Sequence, residues 1–157
     1  MSGQERRIGA VSVLFAALVW VAMVLTAPQA VALKAPAEYA QQAVTSTNLQ
    51  RSDNGLRTLA DDKCLARAAV RQAKAMAARE EMFHQDIYAV LRKCRLREAG
   101  ENVAYGFDTG ASVVADGWMN SPEHRANILR SSYNRVGIGA VQAADGTWYA
   151  AQVFGRR

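Results

Sequence analysis

WMNSPEHRANILRSSYNRVGIG, residues 118–139, carries a helix end, a helix start and a change of period in one stretch. Ser121 has the residue type of an N-cap, and Pro122 suits the first helical position, where its missing N–H costs no hydrogen bond. Glu123 and His124 then fall in the first turn, where outward-pointing N–H groups favour a carboxylate and disfavour an imidazolium. Ile128 and Leu129 supply the apolar side of this helix. After Tyr133-Asn134 the spacing turns extended, so RVGIGAVQ and TWYAAQVFG read as two strands joined by Ala143-Ala144-Asp145-Gly146 in a hairpin.

Upstream of this stretch the chain reads as helices. Residues from Pro36 place Tyr39, Ala43, Val44 and Leu49 on one apolar side, and Asp53-Asn54-Gly55 ends that helix. Leu56 and Leu59 form a short apolar link, and Asp61-Asp62 can cap a helix over 63–79 with Leu65, Ala69, Gln72, Ala73 and Met76 facing a core. The pattern breaks at Phe83-His84 and resumes over 87–93 with Asp86 as cap, which leaves His84 at a junction between helices. VAYGF reads as a short extended segment. A fourth helix is expected from Asp108 or Thr109 through Trp118, with Val113, Val114 and Trp118 on one face.

The chain has 157 residues, half of them apolar, and a formal net charge of +5. No charge occurs between Arg7 and Lys34, and IGAVSVLFAALVWVAMVLTA is long enough to cross a bilayer, which takes about 20 apolar residues. Residues 1–32 are read as a signal peptide cut after Ala32, with Ala30 and Ala32 as its small residues, or as an uncleaved membrane anchor. Arg6-Arg7 also suggests twin-arginine export. Both readings place residues 33–157, one domain, outside the cytoplasm, secreted or held at the membrane by the amino-terminal segment alone.

Cys64 and Cys94 are the only cysteines. In an exported chain they are expected to form a disulfide, which closes a loop of about 30 residues and stabilises the fold by roughly 3–4 kcal/mol. Lys63, Arg67, Arg71 and Lys74 share a helical face, followed by Arg92, Lys93, Arg95 and Arg97. Such a surface reads as solvated, or as a contact for anionic lipid or cell-wall polymer. It lacks the interleaved aromatics of a nucleic-acid platform. A monomer is expected.

The chain's two histidines, His84 and His124, and the acids Glu101 and Glu123 offer two kinds of chemistry: ligation of a divalent metal, or proton transfer with Glu as base. H-E-x-x-H and G-x-S-x-G are both absent. TNLQRSDNGLRTL, FHQD, GENVAYG, and WMNSPEHRANILRSSYNRVGIG followed by WYAAQVFG together resemble a bacterial member of the CAP superfamily. This is the group of cysteine-rich secretory proteins, antigen 5 and pathogenesis-related proteins, whose domain is also called SCP.

The resemblance spans about residues 40–155. It implies an α+β fold, an α/β/α sandwich with a small antiparallel sheet between helices, and places VAYG in that sheet. It further implies a cavity lined by His84, Glu101 and His124. The second acid of the family's cavity corresponds to Ser121 here, and Glu123 lies two residues on. Adjacent helical residues diverge by about 100°, so Glu123 and His124 need not face the same way. The leading expectation is an exported, non-enzymatic binding module. Its cavity holds zinc, another divalent metal or a small ligand, with His84 and His124 as metal ligands and Glu101 completing a three-ligand site. The alternatives are a peptide-directed hydrolase with Glu101 as base and a metal or His124 as electrophile, and a carrier of lipid or sterol in an apolar groove. A further alternative is a polar cluster that only satisfies itself within the core.

Overall fold

The computed structural model describes residues 36–157, and the signal peptide or anchor read over residues 1–32 lies outside the described residues. Helix α1 spans Pro36–Asp53 and turns out at Gly55, whose φ of +70° suits glycine. Its inward residues are Tyr39, Ala43, Thr47 and Arg51, every fourth position. Leu49, expected on the apolar side, is 58% exposed. The reason is that the buried side of α1 ends in two polar residues, Thr47 and Arg51, which an apolar-periodicity reading passes over.

Helix α2 covers Lys63–Arg79 and opens on Asp62, whose carboxylate accepts from the N–H groups of Cys64 (2.8 Å) and Leu65 (3.2 Å). Helix α3 covers Ile87–Cys94, with Asp86 accepting from Ala89 N–H at 3.0 Å. Both helices end on a residue in the left-handed conformation, Glu80 and Arg95. Lys63, Arg67, Arg71 and Lys74 lie exposed on the outer face of α2. Cys64 and Cys94 form the expected disulfide, with Cα atoms 5.8 Å apart.

Four strands form the sheet: β1 (Ala60–Asp61), β2 (Glu98–Tyr105), β3 (Arg135–Gln142) and β4 (Trp148–Arg156), in the spatial order β1-β3-β4-β2. The last three pair antiparallel, with Asn102 opposite Gln152 and Gly139 opposite Ala151. The two-residue β1 adds a parallel pairing to β3, so the sheet as a whole is mixed. Strand β2 begins five residues before the extended segment read from VAYGF, because Glu98 to Asn102 pair with the end of β4.

Strand alternation gives the sheet two apolar faces. Val136, Ile138, Ala140, Ala150 and Phe154 face Tyr39, Val113, Trp118 and Ile128, while Val103, Tyr149, Ala151 and Val153 face Leu65, Ala69, Met76 and Val90. The result is the expected helix–sheet–helix sandwich. On the second face α2 lies directly on the backbone of β3: a Cβ on Gly137 would come 2.1 Å from Ala66 N, and one on Gly139 2.4 Å from Val70 N.

The fourth helix, α4, is broken into three turns. Gly110–Ser112 is α-helical with Thr109 as a capping box, Val113–Gly117 is a wider π turn and Trp118–Asn120 a tighter 3₁₀ turn. The break swings Trp118 inward, where its Nε1–H donates to the carbonyl of Val103 at 3.1 Å. Helix α5, Pro122–Ile128, follows at once. Ser121 occupies the N-cap position with extended backbone, but its hydroxyl makes no capping hydrogen bond.

Candidate functional site

His84 sits on the segment between α2 and α3. That segment is pinned from below, because the buried Gln72 of α2 donates its side-chain amide to the carbonyl of Phe83, and Arg79 lies 4.7 Å above the Phe83 ring. Strand β2 presents Glu101 on the same side, with a side chain only 3% exposed. Nδ1–H of His84 donates to Oε2 of Glu101 at 2.9 Å. Gln85 completes the cradle, donating its backbone N–H to Oε2 (3.2 Å) and its side-chain amide to Oε1 (2.5 Å). With Nδ1 committed, His84 has only Nε2 left to offer, on a side chain that is 59% exposed.

His124 arrives from the opposite layer. Consecutive strand residues point to opposite faces, so Glu101 looks toward α2 and α3 while Asn102 looks toward α1 and α5. The Asn102 amide donates to the His124 carbonyl (3.1 Å) and to Gln152 (3.1 Å), and Gln152 donates to Thr47 of α1 (2.7 Å). Asn127 donates to Asn102 Oδ1 (2.9 Å) and to the Glu101 carbonyl (3.2 Å). This amide chain fixes α5 against β2, the outermost strand on that side of the sheet, and with Trp118 it occupies the outward carbonyls of Glu101 and Val103.

The half-buried His124 has its imidazolium pushed below the ordinary range, by burial first and then by the charge of His84, with Glu123 opposing. Glu123 is exposed in the first turn of α5, and Ser121 is half-buried beside it. Neither hydrogen-bonds to the His84–Glu101 pair.

A three-ligand metal site from His84, Glu101 and His124 does not fit this geometry. Among the described residues no three His, Cys, Asp or Glu side chains stand close enough together to hold an ion, and both oxygens of Glu101 are engaged by His84 and Gln85. His84 itself is set up to ligate through Nε2, since a carboxylate on Nδ1 is the usual support of a histidine that does so. Clefts of about 400 and 510 Å³ open elsewhere, the first beside Leu49 of α1 and the second around Arg57 and Arg135.

Gln85, Asn102 and Asn127 received no role from the sequence. Their signal was present for the two asparagines: Asn102 stands at an inward strand position, and Asn127 is one helical turn beyond Glu123-His124. Gln85 carried no signal, because it acts through a pairing with β2 that its own helix-junction setting does not announce.

Residues 44–154 are matched by the model of the cysteine-rich secretory protein (CAP) family. The chain belongs to this family. Protein YkwD of Bacillus subtilis (strain 168) is 30% identical over 125 residues, covering 75% of this chain and 48% of that protein. An extracellular protein containing an SCP domain from Bacillus anthracis is 28% identical, with a TM-score of 0.65, over 76% of this chain and 40% of that one. A cysteine-rich secretory protein from Staphylococcus aureus shares the fold at 22% identity and a TM-score of 0.67, over 80% of this chain and 40% of its own. The chain thus spans about half the length of the curated relative YkwD, and less of the two solved proteins. In this CAP domain the matched region begins at Val44, inside α1, and ends at Phe154 in β4, so it holds every residue of the site. Among the described residues no helix is long and apolar enough to cross a membrane.

Proposed function

We propose that this CAP domain is an exported, non-enzymatic binding module that takes a divalent cation through the imidazoles of His84 and His124. The observation that carries this reading is the 2.9 Å bond from His84 Nδ1 to the buried Glu101 carboxylate, which orients the ring and leaves Nε2 directed outward and reachable. Glu101 acts on His84 and not on the cation. An ion held by two protein donors keeps its remaining positions for water or for a donor atom of another molecule, so the site is open and exchangeable. Export is supported by the uncharged stretch ahead of the domain, by the disulfide and by the extracellular SCP-domain relative. Hydrolysis is disfavoured because a general base must reach the proton it removes, and both oxygens of Glu101 are already bonded beneath His84.

Isothermal titration with zinc tests the reading. The wild-type chain is expected to give saturable heat that disappears in the His84→Ala, His124→Ala double variant. Glu101→Gln is expected to keep binding but weaken it roughly 10–100-fold, the range for loss of a ligand's supporting partner. Equal heats for the wild type and the double variant would remove the cation from the proposal.

A further inference from the structure

We infer that the cleft at the Arg135 end of β3 is a second binding site, specific for a phosphoryl oxyanion. The cleft has a volume of about 510 Å³, and its walls include Arg57, Thr58, Ser131, Asn134, Arg135 and Arg156, with no acid among its lining residues. Two of the nearby acids are already paired, while Asp61, beside Ala60 of the lining, enters no ion pair among the described residues. Glu98 accepts from Arg156 (3.0 Å), Arg130 (3.3 Å) and the Ser132 hydroxyl (2.6 Å), and Asp62 pairs with Arg157 at 2.8 Å. Among the described residues Arg57 and Arg135 enter no ion pair, so two uncompensated guanidinium groups line one concavity. Like charges focused in a cleft concentrate anions there.

The cations are held on backbone that is fixed from beneath. The carbonyl of Arg57 accepts from Nε of the fully buried Arg51 at 2.9 Å. Arg135 opens β3, opposite Ala60 on one side and Gly155 on the other, and Arg156 closes β4 opposite Glu98. Arg57, Arg135 and Arg156 therefore reach the cleft from three separate segments, Arg156 paired with Glu98 and Arg135 bonded to the Asn134 carbonyl (3.1 Å), and Thr58, Ser131 and Asn134 line it beside them. A planar carboxylate offers two oxygens in one plane, whereas a phosphoryl group offers oxygens in several directions and matches donors that arrive from several sides. The aromatic lining the cleft, Tyr133, is buried and stacked on Phe154 at 5.3 Å, so no ring is available to stack a base. The cleft's ligand is a phosphate, either the free ion or the phosphodiester of a lipid headgroup.

The test is isothermal titration of the full chain in non-ionic detergent with two probes: inorganic phosphate, and glycerophosphoglycerol, the deacylated headgroup of phosphatidylglycerol. Arg57→Gln with Arg135→Gln is compared with Arg67→Gln and Arg71→Gln, which remove the same charge from the outer face of α2. Saturable binding is expected, weakened about tenfold or more by the first pair and unchanged by the second, as for the loss of a charge-assisted hydrogen bond. Tighter binding of the diester identifies a headgroup site, and tighter binding of inorganic phosphate a free-anion site. The two single variants are expected to lie between wild type and double variant. All the altered side chains lie away from the apolar clusters, and matching thermal melts confirm that the fold is kept. Equal weakening by both pairs, or no saturable heat with either probe, overturns the site.

Discussion

Arg51 is the residue on which most of one layer converges. It is fully buried, and its guanidinium donates to the carbonyls of Arg57 (2.9 Å), Ile128 (2.7 Å), Arg130 (2.9 Å) and Tyr133 (3.5 Å). Burial draws its pKa below the usual arginine value, and among the described residues no carboxylate pairs with it. Its compensation is this set of carbonyls, of which Ile128 closes α5, where the helix dipole is negative. Arg51→Met keeps the stem but orphans these acceptors, at about 1–3 kcal/mol for each buried group left unpaired. The variant is therefore expected to lose roughly 3–5 kcal/mol in urea unfolding at unchanged m-value. A loss below about 1 kcal/mol would mean that water replaces the guanidinium. None of this was legible in TNLQRSDNGL, where Arg51 looks like a surface residue near a helix end. Three of its partners lie 77, 79 and 82 positions away. His84 and Glu101 are likewise 17 positions apart, and no periodicity brings them together. They were singled out by residue type, as one of two histidines and one of two well-placed acids, and only the family resemblance put them in one cavity.

Elements were more legible than contacts, because caps and periods are local. Asp62 and Asp86 announced α2 and α3, and the hairpin of β3 and β4 followed from alternation and its Asp-Gly turn. The wide turn at Val113–Gly117 was not legible. It exists to bring Trp118 to the Val103 carbonyl, which is a tertiary demand. The glycines of RVGIG acquire their meaning only with the neighbour in place: α2, rich in alanine, rests on β3 where Gly137 and Gly139 lack a Cβ. A methyl at Gly137 would meet the backbone of Leu65 and Ala66, which cannot rotate away as a side chain can. Gly137→Ala is expected to separate α2 from the sheet and cost about 3 kcal/mol, at the upper end for overpacking. Gly146→Ala pays its penalty differently, in the positive φ of +89° at an exposed turn with no backbone close by, and provides the comparison. If thermal melting ranks Gly146→Ala as the more damaging of the two, close approach of α2 to β3 is not what glycine serves here.

At the scale of the whole domain, the sandwich has unequal layers. The face of α1, Trp118 and α5 is tied across the sheet by the amide chain from Thr47 through Gln152 and Asn102 to Asn127. The face of α2 and α3 is tied more locally, by Gln72 to the Phe83 carbonyl and by His84 and Gln85 to Glu101, and α3, only eight residues long, fully buries Val90 and Cys94. A helix of that length has negligible stability of its own. Beside the bonds of His84 and Gln85 to Glu101, it is held by the Cys64–Cys94 disulfide, which joins the start of α2 to the end of α3 and encloses the segment that carries His84. Cys64→Ala with Cys94→Ala is therefore expected to destabilise the domain by roughly 3–4 kcal/mol on the chain-entropy account of a loop of about 30 residues. The loss should be uneven. Amides of α3 and of residues 80–86 are expected to exchange with solvent faster than those of β3, whose pairing with β4 and cover by α2 remain. Hydrogen exchange followed by mass spectrometry reads the difference directly. Faster exchange spread evenly over both layers would show that the disulfide acts on the whole fold. Confinement to α3 and residues 80–86 would show that it holds His84 over Glu101, so that zinc binding by the reduced domain should fall along with α3 protection.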